Sequence, residues 1–304
     1  MRVAVVGASG LLGQYLAREA HDRGHEVLGT YNRTRPDFPF RVEQMDITDG
    51  EEVKRVLEDF SPDRLLHPAA MTGVDECERY PDAAWKVNVE GTMNTVQACL
   101  EMECPMLHVS TDYVFNGLKG SPYKEGDFPD PLSIYARTKL EGERVTLDAS
   151  RENTVARVSV VFGWNRVTEK GNFVTWVIDS LREGKELSLF RDQRVSPTYA
   201  PFAAGHMLDL ALSERSALSL FQEESRGIYH LSGRECIDRY ELGLMIADVF
   251  ELDRSLISEG TLEEMDLTAP RPGYSCLDVG KVEAELDTEL PSLQEALEHM
   301  REVE

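Results

Sequence analysis

Tyr135 and Lys139 stand four residues apart in the run IYARTKLEGE, within a stretch of helical spacing, so both side chains leave the same helix face. A lysine ammonium beside a phenol favours the phenolate, lowers its pKa and makes tyrosine a usable acid or base near neutral pH. One strand and one loop earlier lies Ser110-Thr111-Asp112-Tyr113-Val114-Phe115. The Thr111 hydroxyl, at the end of an apolar run, is suited to hold a carbonyl oxygen that receives a proton. A Tyr-x-x-x-Lys pair by itself reads as an aromatic ring and a lysine stem packed on a helix. Its position after STDYVF gives it a chemical meaning.

A second constellation opens the chain. After the β-type run Arg2–Val6 comes Gly7-Ala-Ser-Gly10-Leu-Leu-Gly13, then an amphipathic stretch. Glycines at this spacing allow a sharp turn, close backbone approach to a pyrophosphate and tight packing of the following helix. The helix N-terminus then offers N–H groups and a positive dipole end to phosphate. The strand–turn–helix context is what a dinucleotide site requires. The end of the second strand reads Thr30-Tyr-Asn32-Arg33-Thr-Arg35, without the acid that binds the ribose hydroxyls of NAD. Arg33 and Arg35 suit the 2′-phosphate of NADP, or are solvated loop residues. Asp46 suits the adenine amino group, or caps the helix that follows.

These residues need a scaffold that brings strand ends together. Strand-like runs at Arg2–Val6, Glu26–Thr30, Arg41–Met45, Arg64–His67, Met106–Ser110 and Thr154–Val158 alternate with helical patterns at Leu11–Arg23, Asp49–Phe60, Asp82–Met102 and Leu132–Ala149. This βα alternation predicts an α/β fold, a doubly wound parallel (Rossmann) sheet with helices on both faces. Past Gly163 the pattern loosens, with helices at Phe173–Arg182, Phe202–Leu212, Arg239–Phe250 and Ser292–Arg301 and a short strand at Gly227–Leu231. The expected division is an NAD(P)-binding domain over 1–162 and a smaller substrate-binding lobe over 163–304. The boundary is soft, because later elements can return to the main sheet.

The motifs STDYVFNG, SPYKEGD and PLSIYARTKLEGE, joined by HPAAMTGVDECE, FRDQRVSPTY, GIYHLSG and PRPGYSCLD, resemble the dTDP-4-dehydrorhamnose reductase branch of the extended short-chain dehydrogenases/reductases over nearly the whole chain. The resemblance implies reduction of a nucleotide-linked 4-keto sugar with hydride from NADPH or NADH, and Arg33 with no competing acid makes NADPH the preferred one. Tyr135 would be the proton donor, Lys139 would bind the nicotinamide ribose and Thr111 would polarise the carbonyl. The cofactor would rest on Gly7, Ser9, Gly10, Leu11, Leu12, Gly13, Asn32, Arg33, Asp46, Ile47, Ala69, Ala70, Thr72, Asn88 and Ser110, together with Tyr135 and Lys139. Asp112, Val114, Phe115, Asn172 and Arg194 would line the sugar site. Three departures stand out: Ala136 follows the tyrosine in place of glycine, His67-Pro68 replaces Asn-Ala, and Val160 sits where some relatives carry a substrate-facing tryptophan. That bulky role could pass to Trp164. His108 and Trp176 read as core or interface residues.

Two other functions share the motifs. A nucleotide-sugar epimerase or dehydratase would keep a tightly bound NAD, normally with an acid after strand two. A non-catalytic NADP-binding regulatory subunit resembling methionine adenosyltransferase β would bind a partner protein instead of turning substrate over.

Composition narrows the partners. Asp and Glu number 55 against 32 Lys and Arg, of which eight are Lys, and the formal charge is −23. Such a field repels nucleic acid and anionic membranes, so neither is an expected partner. An acidic, lysine-poor surface reads as halophilic adaptation, and an anionic cofactor must then find local positive charge. The N-terminal apolar run is too short for a signal sequence or a membrane span, which favours the cytoplasm. A homodimer is compatible with this reading. The five cysteines, odd in number and without a C-x-x-C pair, argue against a disulfide framework and a zinc site, so no metal is expected. Cys99 and Cys104 read as buried apolar side chains.

Overall fold

A computed structural model describes residues 1–213, 225, 227–265 and 267–304. Alternation along β1 (Arg2–Val6) sets the layering. Val3 and Val5 pack with Leu16 of α1 (Leu11–Asp22) and Met207 of α8 (Ala200–Leu212) on one face. Ala4 and Val6 pack with Val53 and Leu57 of α2 (Gly50–Phe60) and Val96 of α5 (Gly91–Glu101) on the other. A strand covered on both faces reads as a continuous apolar run, which is why RVAVV shows no polar alternation. α2 forms for a local reason. Asp49 accepts hydrogen bonds from the Glu51 and Glu52 amides at its N-terminus, and Val53, Val56, Leu57 and Phe60 place one apolar stripe on the sheet.

β1 is joined by β2 (Glu26–Tyr31), β3 (Arg41–Gln44), β4 (Arg64–His67), β5 (Met106–Thr111), β6 (Thr154–Val158) and β11 (Ile228–His230) in the order β11-β6-β5-β4-β1-β2-β3. Every pairing is parallel. The expected doubly wound sheet is present, and the direction of winding reverses between β1 and β4. α8 lies against α1, and β11 pairs with β6. Both come from beyond residue 162, so the later sequence rejoins the main sheet.

The long helical pattern at Asp82–Met102 is interrupted. After α3 (Val74–Arg79) it divides into α4 (Pro81–Trp85), a π-turn at Lys86–Glu90 and then α5. The π-turn carries Asn88, whose buried amide accepts from Met71 N at 2.8 Å and donates to Thr138 Oγ1 at 3.0 Å. The widened turn puts this side chain where it ties the β4 loop to α6 (Ile134–Ala149).

A second core lies beyond β7 (Val161–Phe162). α7 (Phe173–Arg182), α9 (Arg239–Val249) and α11 (Leu293–Glu302) bring Val174, Ile178, Leu242, Ile246, Leu297 and Met300 together. Short pairs surround it: β7 with β10 (Thr198–Tyr199), β8 (Leu187–Phe190) with β13 (Ile257–Gly260), and β9 (Arg194–Val195) with β12 (Ile237–Asp238). α10 (Gly280–Leu286) packs beside β11 and α8.

The cysteine expectation needs correction. Cys236 and Cys276 form a disulfide with Cα atoms 5.4 Å apart across a sequence separation of 40, while Cys77, Cys99 and Cys104 are free and buried. An odd count rules out complete pairing but not a single pair, and the partners are brought together only by β9, β12 and the strand-like segment near Tyr274. Closing a loop of this length restricts the unfolded chain by up to about 4 kcal/mol. Cys236→Ser/Cys276→Ser should therefore lower the urea or thermal midpoint measurably. Equal midpoints for variant and wild type, with and without reductant, would show the bond is absent or energetically idle.

Candidate active site

The carboxyl ends of the parallel strands open into a cavity of about 1080 Å³. Its floor is the glycine turn. Gly7 adopts φ +91, a conformation unfavourable for L side chains, and a Cβ there would sit 2.9 Å from Ala69. A Cβ on Gly13 would lie 2.2 Å from the Gly7 carbonyl oxygen, so helix and turn close to a distance only glycine allows. Gly10 caps α1 without any side-chain hydrogen bond, leaving the first helical N–H groups for a ligand. Gly7, Ser9, Gly10, Leu11, Leu12 and Gly13 all line the cavity, with Ala69, Ala70 and Thr72 opposite.

Asn32, Arg33, Asp46 and Ile47 line the same cavity, whereas Arg35 is exposed outside it. No carboxylate pairs with Arg33 among the described residues, so its guanidinium is available to a phosphate. Asp46 accepts from the Thr48 amide at 2.9 Å, and the cap of α2 is Asp49. Arg33, Lys139, Lys170 and Arg239 face Asp46, Glu76 and Asp112 across the lining, so bases outnumber acids there although acids dominate the chain.

Thr111, Tyr135 and Lys139 meet at one wall. The Thr111 hydroxyl lies beside the Tyr135 phenol and donates to Asp112 Oδ1 at 3.0 Å. Among the protein groups alone, burial pushes the Tyr135 pKa up, and the Thr111 contact offsets this only in part. The expected lowering by Lys139 is not what the protein groups produce. The Lys139 ammonium donates instead to Val109 O at 2.7 Å and to His108 Nε2 at 3.0 Å. Burial lowers the Lys139 pKa to about 8, opposed by the nearby Glu143 carboxylate. His108 is thus more than a core residue: burial holds it neutral, with Lys139 adding to the effect, and it accepts from the lysine. His67, held at about 3 by burial, packs beside it with ring centroids 5.3 Å apart. Ser110 lines the cavity with its hydroxyl bonded to Glu143 at 2.5 Å, and Glu143 pairs with the buried Arg157 at 2.7 Å.

Asp112 reaches the cavity, but its carboxylate is a buried hub. It accepts from Ser159 at 2.7 Å, Ser275 at 2.6 Å and Thr111 at 3.0 Å. Burial still raises its pKa. Four other expected site residues lie elsewhere. Val114 and Phe115 are fully buried in a small core, where Phe115 stacks on Tyr123 at 4.1 Å, because the helical turn at Asp112–Val114 rotates them away. Asn88 is spent on Met71 and Thr138 outside the lining. Arg194 donates to Cys236 O at 2.7 Å, away from the cavity. Asn172 does line it, with its side chain capping α7 through Thr175 N at 3.3 Å.

Val160 lines the cavity at φ +42, a strained conformation for a β-branched residue. Trp164 does not take its place: the indole donates to Met300 O at 2.7 Å within the second core. Trp176 is 46% exposed. Sequence reasoning passed over Tyr113, Lys170, Phe173 and Arg239, which also line the cavity. Lys170 and Arg239 belong to no local motif, so their types gave no signal.

That assembly defines an extended short-chain dehydrogenase/reductase. The chain belongs to the family described as RmlD substrate binding domain, which it matches over residues 1–303. It is 35% identical over 298 residues to the probable low-salt glycan biosynthesis reductase Agl14 of Haloferax volcanii, covering 98% of this chain and 96% of that one. It is 35% identical over 285 residues to methionine adenosyltransferase 2 subunit beta of Xenopus tropicalis, covering 93% and 81%. The crystal structure of dTDP-4-dehydrorhamnose reductase from Bacillus anthracis in complex with NADP superposes with a TM-score of 0.87 at 26% identity, covering 100% of this chain and 99% of that one.

One ion pair holds the late sequence over the site. Arg271 clasps Asp75 of α3 through bonds of 3.0 and 2.7 Å, and the Ala269 amide adds a third at 2.9 Å. These hold the Asp75 pKa at about 2, below the ordinary 3.8. The folded carboxyl is the stronger acid, so its contribution is present above pH 4 and is lost as pH falls towards 2. Asp75→Asn should cost on the order of 2 kcal/mol at neutral pH and reduce the loss of stability across that acid window. Parallel denaturation curves for wild type and variant at each pH would expose the opposite result.

Proposed function

We propose that this chain reduces the keto group of a nucleotide-linked 4-keto sugar, with NADPH as the preferred hydride source. The observation that carries the proposal is the meeting of Thr111, Tyr135 and Lys139 on the wall of a cavity floored by the glycine turn. The cradle fits a dinucleotide, since a Cβ at Gly7 or Gly13 would fill it and the α1 N-terminus is uncapped. A bound NADPH would supply hydride to the carbonyl carbon. The chain's own residues do the rest. Tyr135, kept protonated at neutral pH by its burial, gives its phenolic proton to the carbonyl oxygen. The raised pKa keeps the proton on the phenol until the carbonyl oxygen gains charge from the arriving hydride. Thr111 orients that oxygen through its hydroxyl. Lys139, protonated below about pH 8 and fixed by His108 and Val109, stabilises the phenolate left behind. Arg33 meets the 2′-phosphate. The first 162 residues serve chiefly the cofactor and the later lobe the sugar. The excess of acid over base on the surface supports a protein that works in concentrated salt.

The likeness to the methionine adenosyltransferase subunit favours one second reading, a regulatory NADP-binding protein that touches a partner. An epimerase with retained NAD is less favoured, because no acid stands in Thr30–Arg35.

NADPH oxidation against a panel of nucleotide 4-keto sugars tests the proposal. Tyr135→Phe removes only a hydroxyl and should lower turnover by a factor of about 10²–10⁴ with cofactor affinity nearly unchanged. Undiminished turnover would sink the mechanism. A wild-type protein that binds NADPH firmly and reduces none of the sugars would support the regulatory reading. Arg33→Asp, compared at fixed ionic strength, should weaken NADPH by about 1–3 kcal/mol while sparing NADH. Equal losses for both would show that Arg33 does not read the phosphate.

A further inference from the structure

Cys276 is fully buried, whereas Cys236 is only half-buried, so one sulfur of their disulfide is open to attack from solvent. One residue before Cys276, the buried Ser275 hydroxyl donates to Asp112 Oδ2 at 2.6 Å. The other Asp112 oxygen accepts from Thr111 at 3.0 Å. These contacts run without a gap from Cys276 through Ser275 and Asp112 to Thr111, on the wall that also holds Tyr135. Two residues beyond Cys236, Asp238 caps α9 by accepting from Glu241 N at 2.7 Å. The disulfide thus ties the start of α9 to the segment that anchors Asp112. Backbone pairing also holds that segment: Ser275 N donates to Arg194 O and Tyr123 N donates to Cys276 O. These bonds do not depend on the disulfide, so opening it loosens the segment without freeing it.

We propose that thiol–disulfide exchange at Cys236–Cys276 switches the Thr111–Asp112 wall between a fixed and a loosened state and thereby sets the rate of the reaction. Exposed disulfides are the exchangeable ones, and Cys77, Cys99 and Cys104 are buried. A thiolate of a small dithiol attacks Cys236 Sγ and the S–S bond breaks. Cys276 leaves as a thiolate and takes a proton. The second thiolate of the dithiol then attacks the mixed disulfide and releases Cys236, which takes the other proton. Two electrons pass from the dithiol to the protein, and the dithiol becomes a disulfide itself. The reverse steps close the bond again. For its effect on rate, the inference rests on the proposed reductase reading.

Wild type equilibrated across mixtures of reduced and oxidised dithiothreitol tests it, with alkylation and peptide masses giving the fraction of open bond. Amide hydrogen exchange is read over 111–115, where Thr111 Oγ1 holds the Tyr113 amide and Asp112 O holds the Phe115 amide. Labelling times are kept too short for β1 and α1 to exchange in the oxidised protein. Opening should speed exchange over 111–115 by about 3–10-fold, the scale of one side-chain hydrogen bond, and lower turnover of a nucleotide 4-keto sugar by a similar factor. NADPH affinity should not change. Ser275→Ala keeps the disulfide and should reproduce both changes, after which reduction should add little, because the two act through one bond. Complete reduction with unchanged exchange over 111–115 overturns the inference, and so do effects of reduction and Ser275→Ala that simply add. Reduced protein in which β1 and α1 exchange at the same short times is unfolded, which makes the bond a structural staple and overturns the switch. A wild type that reduces no sugar overturns the reading beneath, while the exchange measurement still decides whether the wall answers to the bond.

Discussion

All strands of a parallel sheet end on the same side, and where the winding reverses their connections part and leave a crevice. The site of this protein depends on that constraint. Between β1 and β4 the glycine turn leaves one strand and Ala69, Ala70 and Thr72 leave the other. Arg33 follows β2, Asp46 follows β3, Thr111 ends β5 and Val160 follows β6. Residues scattered over the first half of the chain share one cavity because seven strands point the same way.

A strand edge fixes where residues emerge but not how they are held. That work falls to buried polar groups, one of which ties the later part of the chain to the first. Asp112 collects hydroxyls from Ser159 and from Ser275, which lies beside the disulfide Cys276. Glu143 on α6 binds Ser110 and Arg157 together. A buried carboxylate is costly unless its lone pairs are used, and here they are. Removing one partner strands the other, so these networks fix the wall of the cavity more strictly than apolar packing alone.

The Lys139 environment shows the same economy. Two acceptors hold the ammonium, one of them a histidine kept neutral by its own burial. The lysine remains charged at neutral pH yet has a lowered pKa, and the neighbouring phenol stays protonated. Donor and counter-charge are set by environment rather than by direct contact between Tyr135 and Lys139.

The sequence alone determined whatever depends on near neighbours. The β1–turn–α1 unit, the strands Arg64–His67 and Thr154–Val158, the helix Phe173–Arg182 and the common face of Tyr135 and Lys139 follow from spacing, because hydrogen-bond ladders and side-chain direction repeat over a few residues. Tertiary structure decided the rest. Val114 and Phe115 sit in the middle of the most legible motif, yet a single helical turn directs them into the core. Asn88 needed a π-turn to reach Met71. Cys236 and Cys276 needed the pairing of β9, β12 and the segment near Tyr274 to bring them within bonding distance, and Arg239 acquired meaning only when the chain returned it to Asp112. Burial and long-range pairing are properties of the packed chain, and no local spacing encodes them.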